Sequence, residues 1–303
     1  MLDFRIKKIV RDICRFLLTC SFLSIFSYFN HSLYAAEETT DSQSNYCFEW
    51  ELFPSGASFE NLLADPGEVN FGVVIYREKK SKYVGFDGYI GHIGKLAELT
   101  KYRVSSEKDV SKVEYQLRIG LGGCTITSGE WKGLTYLLRT VDIFGTLPID
   151  FRKGPFFARL QFSHISSHLT EKATREAITY SREYAKLVLS YEVLNLRPYV
   201  GASFLLHGYP EPSSPFSLQW GVELETLPLI RHLFHPYAAF DFQVRGDFNY
   251  SCDFSLQVGT KLTPKKNLRV ALIYYRGNDW RGQFYNEKNE KRTLLGTGIF
   301  IDF

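Results

Sequence analysis

Two side chains able to move protons, His164 and Ser166, stand two residues apart in "FSHISSH" (162–168). A carboxylate, Glu183, follows in "SREYAKLVLSYEV" (181–193). A serine hydroxyl is a weak nucleophile until a neighbouring base takes its proton. Histidine titrates near neutral pH and can be that base. A carboxylate on its far side fixes the ring tautomer and stabilises the imidazolium. Ser166, His164 and Glu183 are therefore read as candidate nucleophile, base and orienting acid. His168 with Glu171 offers another arrangement, a base or a pair of metal ligands, and Lys172 and Arg175 suit lipopolysaccharide phosphates or a solvated loop.

Whether the three residues meet depends on the strands that carry them. Residues 156–166 alternate: Phe156, Ala158, Leu160 and Phe162 share one face with His164 and Ser166, opposite Arg159, Gln161 and Ser163. In 181–193 the apolar face is Ala185, Leu187, Leu189, Tyr191 and Val193, and it also carries Ser181 and Glu183. A symmetric loop over 167–180 sets Ser166 opposite Ser181 and His164 opposite Glu183. Opposed Cβ atoms lie about 4.5–5.5 Å apart, and alternate residues of one strand about 6.6 Å. The three groups then share one patch of the apolar face.

The same period-2 alternation recurs along the chain. In 252–262, Cys252, Phe254, Leu256 and Val258 oppose Asp253, Ser255 and Gln257; in 216–226, Phe216, Leu218, Trp220 and Val222 oppose Ser217, Gln219 and Glu223. Segments 113–121 and 196–206 behave alike. These runs are longer than the five or six residues usual in soluble sheets, and they suit tilted strands with lipid outside and a polar lumen. The predicted fold is all-β, a transmembrane antiparallel β-barrel of about 12 strands, with a soluble secreted β-domain as the other option. The strands fall near 69–77, 83–94, 113–124, 136–147, 155–166, 181–193, 196–207, 216–226, 236–246, 251–262, 268–277 and 293–303. Long links at 167–180, 208–215 and 278–292 are expected outside as outer loops and short ones on the inner, periplasmic side; the 95–112 link is too long for an inner turn. Trp131, Trp220 and Trp280 read as interfacial anchors, and Arg118, Arg159, Gln161, Lys186 and Glu192 as a charge network in a narrow lumen.

Residues 1–36 have a basic start, a short apolar run at 16–29 and small residues at the end, the pattern of a secretory signal peptide. Residues 37–68 are read as a periplasmic N-terminal segment and 69–303 as the barrel, which implies the bacterial outer membrane. A net charge of +3 gives no reason to expect nucleic acid. Outside the signal, Cys47, Cys124 and Cys252 form neither a disulfide framework nor a zinc motif, though one bridge is open to them.

"HIS" at 164–166 and "SRE" at 181–183 resemble the site of outer-membrane phospholipase A and of the outer-membrane lipid A deacylase. Those families carry His-x-Ser on the lipid face of one strand and a polar partner on the next. The spacing from serine to its third member, 15 or 17 residues here, is longer than in either family. The resemblance implies lipid-ester hydrolysis and, by likeness to the phospholipase, a calcium-dependent dimer. "LLGTGIFIDF", ending at Phe303, resembles the strand that addresses such barrels to their assembly machinery. More widely, "LFPSG", "LLADPGE", "HISSHLTE" and "LRPYVGASFLL" resemble segments of an uncharacterised bacterial barrel family, a domain of unknown function. Its usual Gly-Asp-Glu after "SSHL" is Thr170-Glu171-Lys172 in this chain. Two functions stay open: a serine-type lipid acyl hydrolase acting on phospholipid or lipid A, and a non-enzymatic narrow pore or structural surface protein. The partners implied are membrane lipids or lipopolysaccharide.

Overall fold

The computed structural model describes residues 46–54, 59–80, 87–106, 109–132, 135–170, 176–226, 233–262, 267–287 and 291–302. The expected signal at 1–36, the terminal Phe303, and Glu171, Lys172 and Arg175 lie outside the described residues. Thirteen antiparallel strands form one sheet: β1 Tyr46–Leu52, β2 Gly72–Lys80, β3 Asp87–Ser106, β4 Asp109–Lys132, β5 Thr135–Lys153, β6 Phe156–Leu169, β7 Ser181–Tyr191, β8 Leu196–Tyr209, β9 Phe216–Glu225, β10 Phe234–Arg245, β11 Ser251–Leu262, β12 Leu268–Gly277 and β13 Arg292–Ile301. Strands β2–β13 pair in chain order, and β13 pairs back onto β2 through Arg292↔Lys80 to Phe300↔Gly72. These are the twelve expected strands, and from β6 onward their ends fall within a few residues of the expected ones.

Burial identifies the solvent on each side of the wall. Phe162, Val200, Trp220, Val258, Leu272 and Leu295 are exposed on the outside, while Arg159, Gln161, Asp241, Ser255, Gln257 and Arg269 are buried inside. A wall with its apolar side chains outward and its charges inward is built for lipid. No described helix is long and apolar enough to cross a membrane.

Three features depart from the sequence expectations. The 95–112 link is a hairpin, because β3 and β4 run on as a ladder from Gly88↔Glu130 to Ser106↔Asp109. Its cations hide that alternation until β1, the thirteenth strand, is in place: β1 pairs with the far half of β3 and sets Glu51 on Lys101 at 2.7 Å and Glu49 on Arg103 at 3.4 Å. The link after β12 is not an outer loop. It folds inward, burying Asp279, Arg281 and Gln283, with the Trp280 ring edge-on to Tyr275, centroids 4.6 Å apart, against the barrel's inner cluster, so Trp280 is not an interfacial anchor. Glu192 is exposed in the turn after β7 and sits outside the interior network, whereas Arg159 and Gln161 are buried in it.

Two stretches of chain fill the interior. From the short-turn end comes 59–70, part of the segment expected to precede the barrel. Arg197 donates to the carbonyls of Glu60 and Asn61, Arg159 donates to that of Phe59, and the Leu63 amide donates to Glu223 at 2.6 Å. Asp65 accepts from Lys186 at 2.7 Å, Gln219 at 2.8 Å and Gln243 at 3.1 Å, which ties it to β7, β9 and β10. Burial acts to raise the Asp65 carboxyl, but Lys186 and these donors hold it below the usual carboxylate range. From the other end, the link after β12 brings Asp279 against Arg281 at 2.8 Å and Arg292 at 2.7 Å, and Arg292 also pairs with Glu78. Gly282 permits this seating: a Cβ there would come within 2.2 Å of the Tyr180 ring and 2.6 Å of Ser167. A cavity of about 140 Å³ remains between the two segments, walled by Asp65, Lys186, Gln219, Asp241, Gln243 and Arg245.

The buried Lys186 makes Asp65 the sensitive point. Asp65→Ala leaves that ammonium with Glu68 at 3.4 Å, and removing one partner of a buried pair costs about 3–5 kcal/mol. Urea unfolding in detergent micelles is expected to show a loss near the lower end of that range for Asp65→Ala, and a smaller loss for Asp65→Asn, which keeps an acceptor.

Candidate functional site

The candidate residues lie on β6, β7 and β8 at the long-link end, on the outward face. The pairing there is the expected one, with His164 opposite Glu183 and Ser166 opposite Ser181. His164 Nδ1 lies 3.1 Å from Glu183 Oε1, and the Ser181 hydroxyl donates to the same oxygen at 3.3 Å. Because a carboxylate only accepts, His164 donates through Nδ1, and in the neutral ring Nε2 is then the acceptor. The imidazole is 52% exposed and the carboxylate 38%, so both open to whatever bathes the outer wall.

Ser166 stands on the same face, two residues along β6. Among the described residues no hydrogen bond joins its hydroxyl to His164, so this part of the arrangement is a shared patch and not a bonded relay. On the β5 side, His164 is opposite Gly145. Gly145 is exposed, and a Cβ there would meet nothing within 4 Å, so the outer wall carries no side chain opposite His164. Ile143 and Leu147, two residues to either side on the same strand, are exposed and keep that part of the outer face apolar. His168 also faces outward, opposite Val141, away from the Glu183 cluster.

Face-counting misses one member, His207. Strict alternation along β8 places it with Tyr199, Gly201 and Ser203, which point inward. The β7–β8 ladder shifts register between Glu183↔His207 and Tyr184↔Leu205, so Leu206 is an extra residue. Such a bulge re-aims the side chain beyond it. His207 therefore turns outward, with Nδ1 2.7 Å from Glu183 Oε2. The carboxylate is held between two imidazoles, one per oxygen. An "LLH" where a strict alternation would need one residue fewer was the available sign. Among the described residues, no group of three His, Cys, Asp or Glu side chains is placed to hold a metal ion.

A family model described as a protein of unknown function, DUF1207, matches residues 33–302. The chain belongs to the DUF1207 family. No match to this DUF1207 protein is found among curated proteins. Among solved structures it is similar to outer membrane phospholipase A from Escherichia coli, at 13% identity over 77% of this chain and 96% of that one, TM-score 0.47. The Salmonella typhi outer membrane phospholipase dimer with bound calcium is similar at 13% identity, covering 78% and 93%, TM-score 0.46. The translocator domain of the autotransporter NalP from Neisseria meningitidis is similar at 10% identity, covering 79% and 91%, TM-score 0.30.

Exposed ion pairs contribute at most about 1 kcal/mol. Glu183→Gln is therefore expected to leave the unfolding midpoint in micelles within that margin of wild type. A larger drop would mean that the cluster holds the β6–β8 wall together.

Proposed function

We propose that this DUF1207 protein is an outer-membrane lipid acyl hydrolase whose site lies on the lipid-facing wall, with Ser166 as nucleophile, His164 as base and Glu183 as orienter. The observation that carries this reading is the His164–Glu183 hydrogen bond on an apolar outer face, next to Ser166. Polar groups on a lipid-facing stripe are disfavoured, and a substrate arriving sideways from the bilayer gives them a use. The substrate class is a phospholipid or lipid A acyl ester. Residues 1–36 direct export and β13 addresses the assembly machinery.

In this scheme the Ser166 oxygen attacks the ester carbonyl and gives its proton to His164 Nε2. Glu183 stabilises the imidazolium through Nδ1. The tetrahedral adduct collapses to acyl-Ser166, and the alcohol leaves with the proton from His164. Water, deprotonated by His164, then releases the fatty acid and restores the hydroxyl. His207 is a positioning residue, holding the second oxygen of Glu183.

The filled interior does not support a pore. A non-enzymatic surface role is favoured by one observation, the missing hydrogen bond between Ser166 and His164. Fatty-acid release from phospholipid or lipid A in mixed micelles decides between the two. Ser166→Ala and His164→Ala are each expected to lower the rate by about 10²-fold or more. His207→Ala is expected to lose less, mainly in kcat, with His207→Gln restoring most of the loss. Equal release by wild type and Ser166→Ala, or none by either, overturns the hydrolase.

A further inference from the structure

The outer wall extends past the twelve-strand ring at the short-turn end, where β1 lies along the far half of β3. Two adjacent rows of cross-strand neighbours cross this extension. One is Trp50↔Tyr102↔Leu117↔Phe151 on β1, β3, β4 and β5. The next is Glu51↔Lys101↔Arg118↔Asp150. Arg118 and Asp150 are buried inside the barrel, so the charged row faces the lumen side and the apolar row continues the lipid-facing side without a break. Three alternate residues of β1, Phe48, Trp50 and Leu52, are 64–69% exposed on that outer side. Among the described residues, β1 pairs with β3 alone.

We propose that the outward face of β1 and β3 is a lipid-binding shelf, seated at the acyl–headgroup boundary of the leaflet at the short-turn end. Continuity with the membrane-facing wall selects lipid as the occupant. The composition agrees: Trp50 and Tyr102, ring centroids 5.8 Å apart, are the residue types that collect at membrane interfaces. The charged reverse face gives the shelf one side for lipid and one for water. The shelf also fixes the point from which the chain turns into the interior after Leu52. This inference does not rest on the hydrolase reading, since the shelf and His164 lie at opposite ends of the wall.

Tryptophan quenching tests it. The full-length protein is refolded into phosphatidylcholine vesicles with or without bromine on the acyl chains. The emission difference between wild type and Trp50→Phe isolates Trp50. Brominated chains are expected to remove most of that difference, and aqueous acrylamide little of it. Leu52→Trp, on the same face, is expected to add emission that brominated lipid quenches, and Glu51→Trp, on the reverse face, emission that it does not. Quenching of Trp50 and Leu52→Trp by acrylamide alone overturns the shelf, because the face is then wet. Quenching by neither agent also overturns it, because protein, such as a second copy of the chain, then covers the face.

Discussion

Inside a bilayer a backbone amide or carbonyl has no partner except another backbone group. That constraint forces each spanning strand to pair on both sides and brings β13 back onto β2. It also sorts the side chains, because a strand can show lipid only one of its two faces. The residues displaced inward are arginines, aspartates and glutamines, and they cannot be left bare in a narrow space. The chain answers by supplying its own counter-surface from both ends. Residues 59–70 arrive with backbone carbonyls for Arg159 and Arg197 and a carboxylate for Lys186. The link after β12 arrives with a carboxylate for Arg292 and, from Gln283, a backbone and a side-chain amide that both donate to Ser167.

The same sorting makes the outer cluster conspicuous. A wall required to be apolar carries a carboxylate bonded to two imidazoles. The bulge at Leu206 gives up regular pairing to bring His207 there, and Gly145 leaves the neighbouring strand without a side chain opposite His164. The interior groups, by contrast, are joined mostly to one another. The exposed polar cluster of His164, Glu183 and His207 is on the outer surface, at the long-link end.

Much of this was legible in the residues. Period-2 alternation marks β6–β13 closely because each strand separates lipid from lumen. The His164–Glu183 and Ser166–Ser181 registers follow from the same alternation and a symmetric loop. The hairpin of β3 and β4 was not legible, because its cations read as a loop until Glu49 and Glu51 from a distant strand neutralise them. Trp280 was misplaced because an aromatic near a strand end suits a membrane interface and a folded-in loop equally well.

By itself, then, the sequence determined the two faces of each strand and the register of the β6–β7 pair, since both depend on spacing along a pleated chain. Only the tertiary structure decided what fills the barrel, where β1 lies and that His207 joins Glu183. Those depend on contacts between residues 50 to more than 200 positions apart, as for Lys101 with Glu51, Lys186 with Asp65 and Arg292 with Glu78, or on one extra residue that reverses a face. Spacing reports which way a side chain points while the ladder stays regular, and it carries no information on which distant group the side chain will meet.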